Sequence, residues 1–389
     1  MTNLNNIISK TAERLEEIRK ASGISIEEVS TAIQVSKVDI GELISGKSAW
    51  DIVKLADYTD LLGTNINEVL RNLNFLKKHN SAISSSNITS PVPAPDKSKE
   101  MSSGIELALT KDGNNYFVPI LNCELKDYLN VDQEISKIYQ QLNQKNKKLK
   151  NREAIFQALC YAIDNLPNVN PSDIYHHIVY RTYLREYKTN SPSQSWVRAG
   201  GDAVELFIKD RYTEHLKNHG IFIEIAFQQG KKNTFLEDMN LADKVPGKSK
   251  LDIGLYGLHN NKKIPFGGIH SKASLAERVS DDKPCSEIMM KEGFYSYLVT
   301  FDAKSFPPPA GDLINKGELG SPDTPSDKRD YIEKYGSFSA CFSYNTNTNP
   351  SNNITKSGKK IYSLNSFKAN DDFVKSVTRD WLAFQKANL

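Results

Sequence analysis

An acid and a lysine stand on two apolar runs that lie close together in the sequence. Asp252 is in the run LDIGLY (residues 251–256), and Lys272 ends the run GGIHSK (residues 267–272), 20 residues after the acid. Short apolar runs bounded by polar turns predict strands, so the two side chains can meet at one end of a sheet. Hydrolysis of a phosphodiester needs a cation on the phosphate, an activated water and neutralisation of developing charge. We therefore predict that Asp252 holds a metal ion and that Lys272 acts beside the attacked phosphate.

A further acid is expected from a helix that precedes these strands. The apolar pattern of residues 201–220 predicts an amphipathic helix, and Glu205 interrupts its apolar face so as to point toward the sheet edge. Mg²⁺ prefers a few carboxylates together with water and phosphate oxygens, which makes Glu205 a candidate catalytic residue. The alternative is an ordinary acid in a first helical turn, where the helix dipole favours negative charge.

The Asp252 run together with His270-Ser271-Lys272 resembles the signature of the PD-(D/E)XK nucleases. Over about residues 154–381 the chain is most similar to CCGG-family Type II restriction endonucleases of the BsaWI type. His270 stands where the superfamily signature has an acid, and CCGG-family enzymes take that acid from the helix that follows. The resemblance thus implies that Glu287 is catalytic and binds the metal together with Asp252, with Glu277 as an alternative.

The segment after the lysine carries residue types that can read DNA. Arg278 can bond to guanine O6 and N7, and Asp281 and Asp282 can accept from the cytosine amino group. The resemblance implies that this arginine–acid cluster recognises C·G pairs, and we expect further DNA contacts from Ser274 and Arg198. The alternative for the two aspartates is a solvated turn.

The resemblance implies a Type II restriction endonuclease of a restriction–modification system. Such an enzyme uses Mg²⁺ to cut double-stranded DNA at a palindrome containing CCGG, and a homodimer would match the two-fold symmetry of that site. One alternative is a transcriptional regulator with a C-terminal sensing domain, and another is a nuclease with a repair or RNA-directed role. A rival catalytic pair would combine Asp302 or Glu292 with Lys304.

Composition is consistent with a globular cytoplasmic protein that has no membrane segment. The chain has 389 residues, 39% of them hydrophobic and 25% charged, with a formal net charge of +3. Nucleic-acid binding must therefore come from a local patch of positive charge. No apolar run reaches the roughly 18 residues that a membrane span requires. The four cysteines form no CxxC pair, which argues against a zinc site or a disulfide framework.

Residues 1–78 predict an all-α domain of the helix-turn-helix type, similar to Xre-like repressors. Ser25 with Glu28 has the pattern of a capping box, and Ser36 is placed to cap a second short helix at residues 37–44. Two more helices are predicted at residues 51–62 and 65–76. Residues 1–80 hold 10 Lys and Arg against 11 Asp and Glu, although DNA-reading surfaces are usually basic. DNA binding and a role in dimerisation or protein contact both remain open for this domain.

The rest of the chain divides into a linker and a mixed domain. Residues 79–103 are rich in Ser, Pro and Asn, which predicts an extended linker. Residues 104–389 predict an α/β endonuclease domain, a PD-(D/E)XK-like mixed sheet flanked by helices. Its strands are predicted at residues 116–121, 221–227, 251–258, 264–270, 295–302 and 338–344. Its helices are predicted at residues 133–150, 155–164, 171–184, 201–220 and 371–387.

Overall fold

The computed structural model describes most of the chain from residue 90 onward and part of what precedes it. The described residues are 15–17, 19–20, 24–33, 36–45, 90–144, 149–226, 234–246, 251–275, 279–303, 314–364 and 371–389. Two compact units are found, Met1–Thr89 and Ser90–Leu389.

In the first unit two short helices are described, α1 (Ile26–Ile33) and α2 (Lys37–Ile44). The predicted capping box precedes α1, since the Glu28 amide donates to Ser25 Oγ at 3.2 Å and the Ser25 amide donates to Glu28 Oε2 at 2.7 Å. Ser36 Oγ likewise accepts from the third amide of α2 at 3.1 Å. These caps satisfy amides that the first helical turn leaves without partners. The helices predicted at residues 51–62 and 65–76 lie outside the described residues.

The second unit begins with a small antiparallel sheet, part of which falls in the predicted linker. Its strands are β1 (Val92–Pro93), β2 (Lys99–Met101), β3 (Gly104–Lys111) and β4 (Asn114–Leu121), and β3 pairs with each of the others. The linker prediction at 79–103 is therefore wrong over its final residues. Proline is tolerated in an edge strand such as β1, so its composition did not exclude pairing. The Ala94 amide continues this pairing by donating to the Ala108 carbonyl at 2.8 Å.

Eight helical segments are described in the second unit. They are α3 (Leu125–Gln140), α4 (Asn151–Asn165), α5 (Pro171–Asp173, the π-helical Ile174–Tyr180 and Arg181–Glu186), α6 (Pro192–Lys217), α7 (Thr234–Asp238), α8 (Val279–Lys291), α9 (Asp327–Glu333) and α10 (Asp372–Asn388). Helix α6 starts well before the predicted residue 201, because Pro192 occupies its first turn, where proline's fixed φ favours a helix. None of the described helices combines the length and the apolarity that a membrane crossing needs.

The main sheet has six strands in the order β10-β9-β8-β7-β6-β5. They are β5 (Ile221–Ile225), β6 (Ile253–His259), β7 (Lys262–Lys272), β8 (Tyr295–Thr300), β9 (Ala340–Ser343) and β10 (Ile361–Ser363). Strands β5, β6 and β7 pair antiparallel, whereas β7 to β10 pair parallel. One buried cluster joins this sheet to α3–α6 and α10. The predicted mixed sheet flanked by helices is confirmed.

The parallel pairing of β7 with β8 determines where the chemistry can lie. Lys272 pairs with Thr300, so both strands end at the same edge of the sheet. Ile253 pairs with Ile269, which puts the start of β6 at that edge as well. Three segments with polar or charged residues therefore converge at one place.

Candidate active site

The predicted acid and lysine lie together at this edge. Asp252 directly precedes β6, and Lys272 is the last residue of β7. Asp252 Oδ2 accepts a hydrogen bond from the Ser271 amide at 2.9 Å and lies 3.3 Å from Lys272 Nζ. The antiparallel pairing of β6 with β7 brings these residues together even though 20 positions separate them.

The two glycines in β7 allow its neighbours to approach closely. A Cβ atom on Gly268 would lie 2.4 Å from Leu251 Cδ2, and one on Gly267 would lie 2.6 Å from the Tyr295 carbonyl oxygen. Real Cβ atoms do not tolerate such distances, so any side chain here would force β7 away from its neighbours. The Gly267-Gly268 pair thereby helps to fix the spacing between Asp252 and Lys272.

The acid that α8 supplies to the lysine is Asp282. Its Oδ2 lies 2.7 Å from Lys272 Nζ, and its Oδ1 lies 3.7 Å from His270 Nδ1. Asp282 is in the first turn of α8 and is largely buried. We predicted that this residue would read bases, and the structure corrects that expectation because the carboxylate faces the lysine and not solvent.

Glu287, the predicted metal ligand, has different partners. Its Oε1 accepts a hydrogen bond from Ser337 Oγ at 2.8 Å and lies 3.7 Å from Lys283 Nζ. Five residues along a helix correspond to a rotation of about 140°, so Glu287 and Asp282 point in different directions. The structure does not bring Glu287 to Lys272, and the acid of α8 that contacts the lysine is Asp282.

The charges in this cluster stabilise one another. Burial alone would lower the pKa of Lys272, but Asp252 and Asp282 raise it above its usual value. Burial works to raise the pKa of Asp282, yet the adjoining His270 and Lys272 hold it below its usual range. Lys272 therefore stays a protonated ammonium group beside the Asp282 carboxylate.

His270 takes the position of the missing acid and is completely buried. Burial would lower its pKa, but Asp282, together with Cys285, raises it to about 9. At 3.7 Å the contact between His270 and Asp282 is an ion pair and not a hydrogen bond. The protonated imidazole would thus hold Asp282 through Oδ1, while Lys272 lies beside Oδ2.

Glu205 of α6 approaches the same cluster. Burial and the neighbouring Asp252 carboxylate raise its pKa to about 9, with a smaller contribution from Asp202, while Lys272 and Arg152 act in the opposite direction. Arg152 Nη1 itself lies 3.0 Å from Asp202 Oδ2. The high pKa of Glu205 reflects its burial first and then the neighbouring negative charge, which a bound cation would offset.

The carboxylates fit a hard divalent cation that shares its ligands with a substrate. Within the described ranges, no three His, Cys, Asp or Glu side chains are grouped so as to hold a metal ion by themselves. Mg²⁺, however, is usually bound through one or two carboxylates plus substrate phosphates and water. Asp252 and Glu205 supply two such groups beside a lysine.

The remaining predicted residues have varied surroundings. Arg278 and Glu277 lie outside the described residues, whereas Asp281 is exposed in the first turn of α8. Arg198 is exposed on α6. Ser274 donates a hydrogen bond to Glu318 Oε1 at 2.6 Å, a protein contact that the sequence did not predict.

The rival pair is not assembled in the described part of the chain. Asp302 is fully buried after β8 and accepts hydrogen bonds from the Glu318 amide and from Thr348 Oγ1. Lys304 lies outside the described residues, and Glu292 pairs with Lys244 at 2.6 Å.

The sequence offered one usable signal for Asp282, which was missed. Asp282 lies near the start of the helix that follows the lysine, whereas Glu287 lies about a turn and a half later. An acid at the start of that helix can more readily contact the end of the preceding strand. Nothing in the sequence indicated the contact of Glu318 with Ser274, because 44 residues separate the two.

Comparison with known proteins identifies the family. A sequence model of "BsaWI restriction endonuclease type 2" matches residues 227–370. The Type II restriction enzyme AgeI of Thalassovita gelatinovora is 51% identical over 231 residues, which are 58% of this chain and 82% of that enzyme. A crystal structure of a specific AgeI–DNA complex superposes with a TM-score of 0.66 and 43% identity, covering 71% of this chain and 99% of that one. The chain belongs to the Type II restriction endonucleases, in the family of BsaWI and AgeI.

Proposed function

We propose that this endonuclease cuts both strands of DNA in the cytoplasm, with Mg²⁺, at a fixed palindrome that contains CCGG. The observation that carries the proposal is the Lys272 ammonium held 3.3 Å from Asp252 and 2.7 Å from Asp282, with Glu205 beside them. The relative with 43% identity was crystallised on DNA, which supports duplex DNA as the substrate.

In this proposal Asp252 and Glu205 hold the metal ion, and Lys272 faces the scissile phosphate. The metal ion, when bound, polarises the phosphate and lowers the pKa of a bound water. The raised pKa of Lys272 keeps its ammonium charged, so this residue neutralises developing negative charge and does not act as a base. Asp282 holds the ammonium in place, supported by His270.

Recognition of the site is assigned to the residues that follow the lysine, up to the first turn of α8. Arg278 reads guanine and Asp281 reads cytosine in the major groove, while Arg198 contacts the phosphate backbone. A palindromic site presents the same half-site twice, which suits two copies of the chain related by a two-fold axis. We therefore propose a homodimer as the active form.

Digestion of a plasmid of known sequence tests this proposal. The wild-type protein is expected to cut only with Mg²⁺, and sequencing of the ends should give one palindrome containing CCGG. Lys272→Ala should abolish cleavage while DNA binding in Ca²⁺ persists. The control is Lys291→Ala, which removes an exposed lysine from the far end of α8 and should leave cleavage unchanged.

Three results would contradict the proposal. They are cleavage by Lys272→Ala at the wild-type rate, cuts at unrelated sequences, and cleavage that continues in excess EDTA.

A further inference from the structure

Residues 317–320 pack against the residues that follow Lys272 and against the start of α8. Glu318 is the polar contact, since its Oε1 accepts from Ser274 Oγ at 2.6 Å and its Oε2 lies 3.0 Å from Lys328 Nζ. Its side chain is only 12% exposed. A hydrogen bond to a charged acceptor in such a place is stronger than one between neutral groups.

Apolar residues next to this hydrogen bond pack the same two segments together. Leu275 and Leu319, which directly follow Ser274 and Glu318, are both fully buried and belong to one cluster. Val279 at the start of α8 is in the same cluster. The Glu318 segment therefore contacts both the chain that leaves Lys272 and the first turn of the helix that carries Asp282.

The backbone of Glu318 is hydrogen-bonded to Asp302, two residues after the end of β8. Its amide donates to Asp302 Oδ1 at 2.6 Å, and Asp302 Oδ2 accepts from Thr348 Oγ1 at 2.7 Å. Asp302 has a φ of +47°, a conformation that costs free energy in a non-glycine residue and persists only where its surroundings impose it. The backbone of Glu318 is thus anchored independently of its side chain.

The backbone of Gly317 lies so close to the Asp302 carboxylate that no side chain fits between them. A Cβ atom at Gly317 would lie 2.1 Å from Asp302 Oδ2, and its φ of +73° also favours glycine. The carbonyls of Leu319 and Gly320 accept from the buried Arg329 at 3.1 and 3.2 Å. Residues 317–320 are therefore fixed on both sides of Glu318, while its carboxylate reaches Ser274.

We propose that Glu318 is a positioning residue for DNA cleavage, which holds Ser274 and with it the peptide that joins Lys272 to α8. This inference rests on the proposed function. Under this proposal Ser274 makes a hydrogen bond within the protein, whereas the sequence predicted that it contacts DNA. Ser274 and Leu275 follow Lys272 closely, and Val279 begins the helix that carries Asp282, so Glu318 acts near the place where Asp282 meets Lys272. Loss of this contact should therefore affect the chemical step more than DNA binding.

A double-mutant cycle on Ser274 and Glu318 tests the proposal. Ser274→Ala and Glu318→Ala should each slow single-turnover cleavage at saturating Mg²⁺ about tenfold, and the double variant should be no slower than either single one. DNA affinity in Ca²⁺ should change less than threefold. Ser274→Thr retains the hydroxyl and is expected to cleave within threefold of wild type.

The matched control is Ser136→Ala on α3. Ser136 Oγ donates to the Asp132 carbonyl at 2.6 Å and accepts from Arg185 Nη2 at 2.6 Å, so the variant loses a buried serine hydroxyl in another part of the unit. Its loss should leave the cleavage rate within twofold even if the melting temperature falls. A purely structural role for Glu318 would make the Ser274→Ala and Ser136→Ala variants behave alike.

Several outcomes would overturn the inference. Wild-type cleavage by Glu318→Ala, or losses that multiply in the double variant, would mean that Ser274 acts without Glu318. Should Glu318→Ala fail to fold, equal rates for Ser274→Ala and Ser274→Thr would still refute the proposal. A wild-type protein that cuts no DNA would instead refute the proposed function, which the Lys272→Ala experiment tests separately.

Discussion

The neighbouring ends of β7 and β8 both bear charged residues, but they hold charge in different ways. At the end of β7, Lys272 lies between two carboxylates, and burial together with the Asp252 carboxylate raises the pKa of the nearby Glu205 to about 9. At the end of β8, the Asp302 carboxylate is held by a backbone amide and a threonine hydroxyl. The first arrangement has an imbalance of charge that a metal ion and a phosphate can use, whereas neutral donors already satisfy the second.

The comparison also shows why motif spacing alone could not separate the two sites. Asp302 and Lys304 have the spacing of a catalytic acid–lysine pair, just as Asp252 and Lys272 are candidates for one. What distinguishes them is the partners that the fold brings to each acid. The Asp302 carboxylate, whose oxygens accept from the Glu318 amide and the Thr348 hydroxyl, serves as an anchor.

The largest expected effect separates the two aspartates. Asp252→Asn should reduce single-turnover cleavage at least about 10³-fold, because it removes a proposed metal ligand and a partner of Lys272. Asp302→Asn should cost about tenfold or less, because its carbonyl oxygen can still accept the Glu318 amide. Rates measured on one cognate duplex at saturating Mg²⁺ compare the variants directly. Equal losses would remove the distinction between site and anchor.

A smaller effect distinguishes the two acids of α8. Asp282→Ala should lower the cleavage rate about 100-fold, because Lys272 loses the carboxylate that lies 2.7 Å away. Glu287→Ala should stay within about twofold, because its partners Ser337 and Lys283 lie away from the lysine. The same cleavage assay measures both, and the reverse ranking would restore Glu287 as the catalytic acid.

The pH dependence of stability should differ between the two strand ends. Glu205 has a folded pKa of about 9, above its usual 4.5, so the folded state retains a proton that the unfolded state has lost. Stability without metal should therefore fall as pH rises from 6 to 8, by up to about 1.4 kcal/mol per pH unit. Asp302 has a folded pKa of about 6, above its usual 3.8. It should therefore lower the free energy of unfolding mainly as pH rises between those two values.

Urea unfolding in EDTA at pH 5, 6, 7 and 8 measures these slopes. Glu205→Gln should flatten the curve above pH 6, and Asp302→Asn should flatten it below pH 6. A wild-type protein whose stability rises from pH 6 to 8 would contradict the assignment for Glu205.

The smallest expected effect concerns the DNA backbone and leaves both strand ends untouched. Arg198→Ala should weaken DNA binding less than tenfold and reduce the slope of log affinity against log salt by about 1. Binding titrations in Ca²⁺ between low and moderate salt measure that slope. A reduced cleavage rate at saturating protein would instead link Arg198 to the chemistry of the β7 end.

The sequence was sufficient for those features that depend on local pattern. The apolar runs around Asp252 and Lys272 predicted two strands, and their pairing does bring the acid to the lysine. Ser25 and Glu28 predicted a capping box, which the structure confirms. Such signals are carried by residues only a few positions apart, so one window of sequence contains them.

The features that were missed depend on distant contacts or on helix phase. The small sheet uses part of a segment that its Pro and Ser content marked as linker, because strand pairing with β3 outweighs composition there. The choice between Asp282 and Glu287 depends on the residue at which α8 starts, and sequence patterns locate helix ends poorly. The contact of Glu318 with Ser274 joins residues 44 positions apart, which no local pattern indicates.

The position of Asp282 in the first turn of α8 limits which changes of length the start of this helix can accept. A residue inserted into or removed from the helix before Asp282 would rotate its carboxylate by about 100° around the helix axis and turn it away from Lys272. Substitutions at Ser280 or Asp281 leave that rotation unchanged. Lineages of this enzyme should therefore vary the identity of the first residues of α8 while the number of residues between Val279 and Asp282 stays constant.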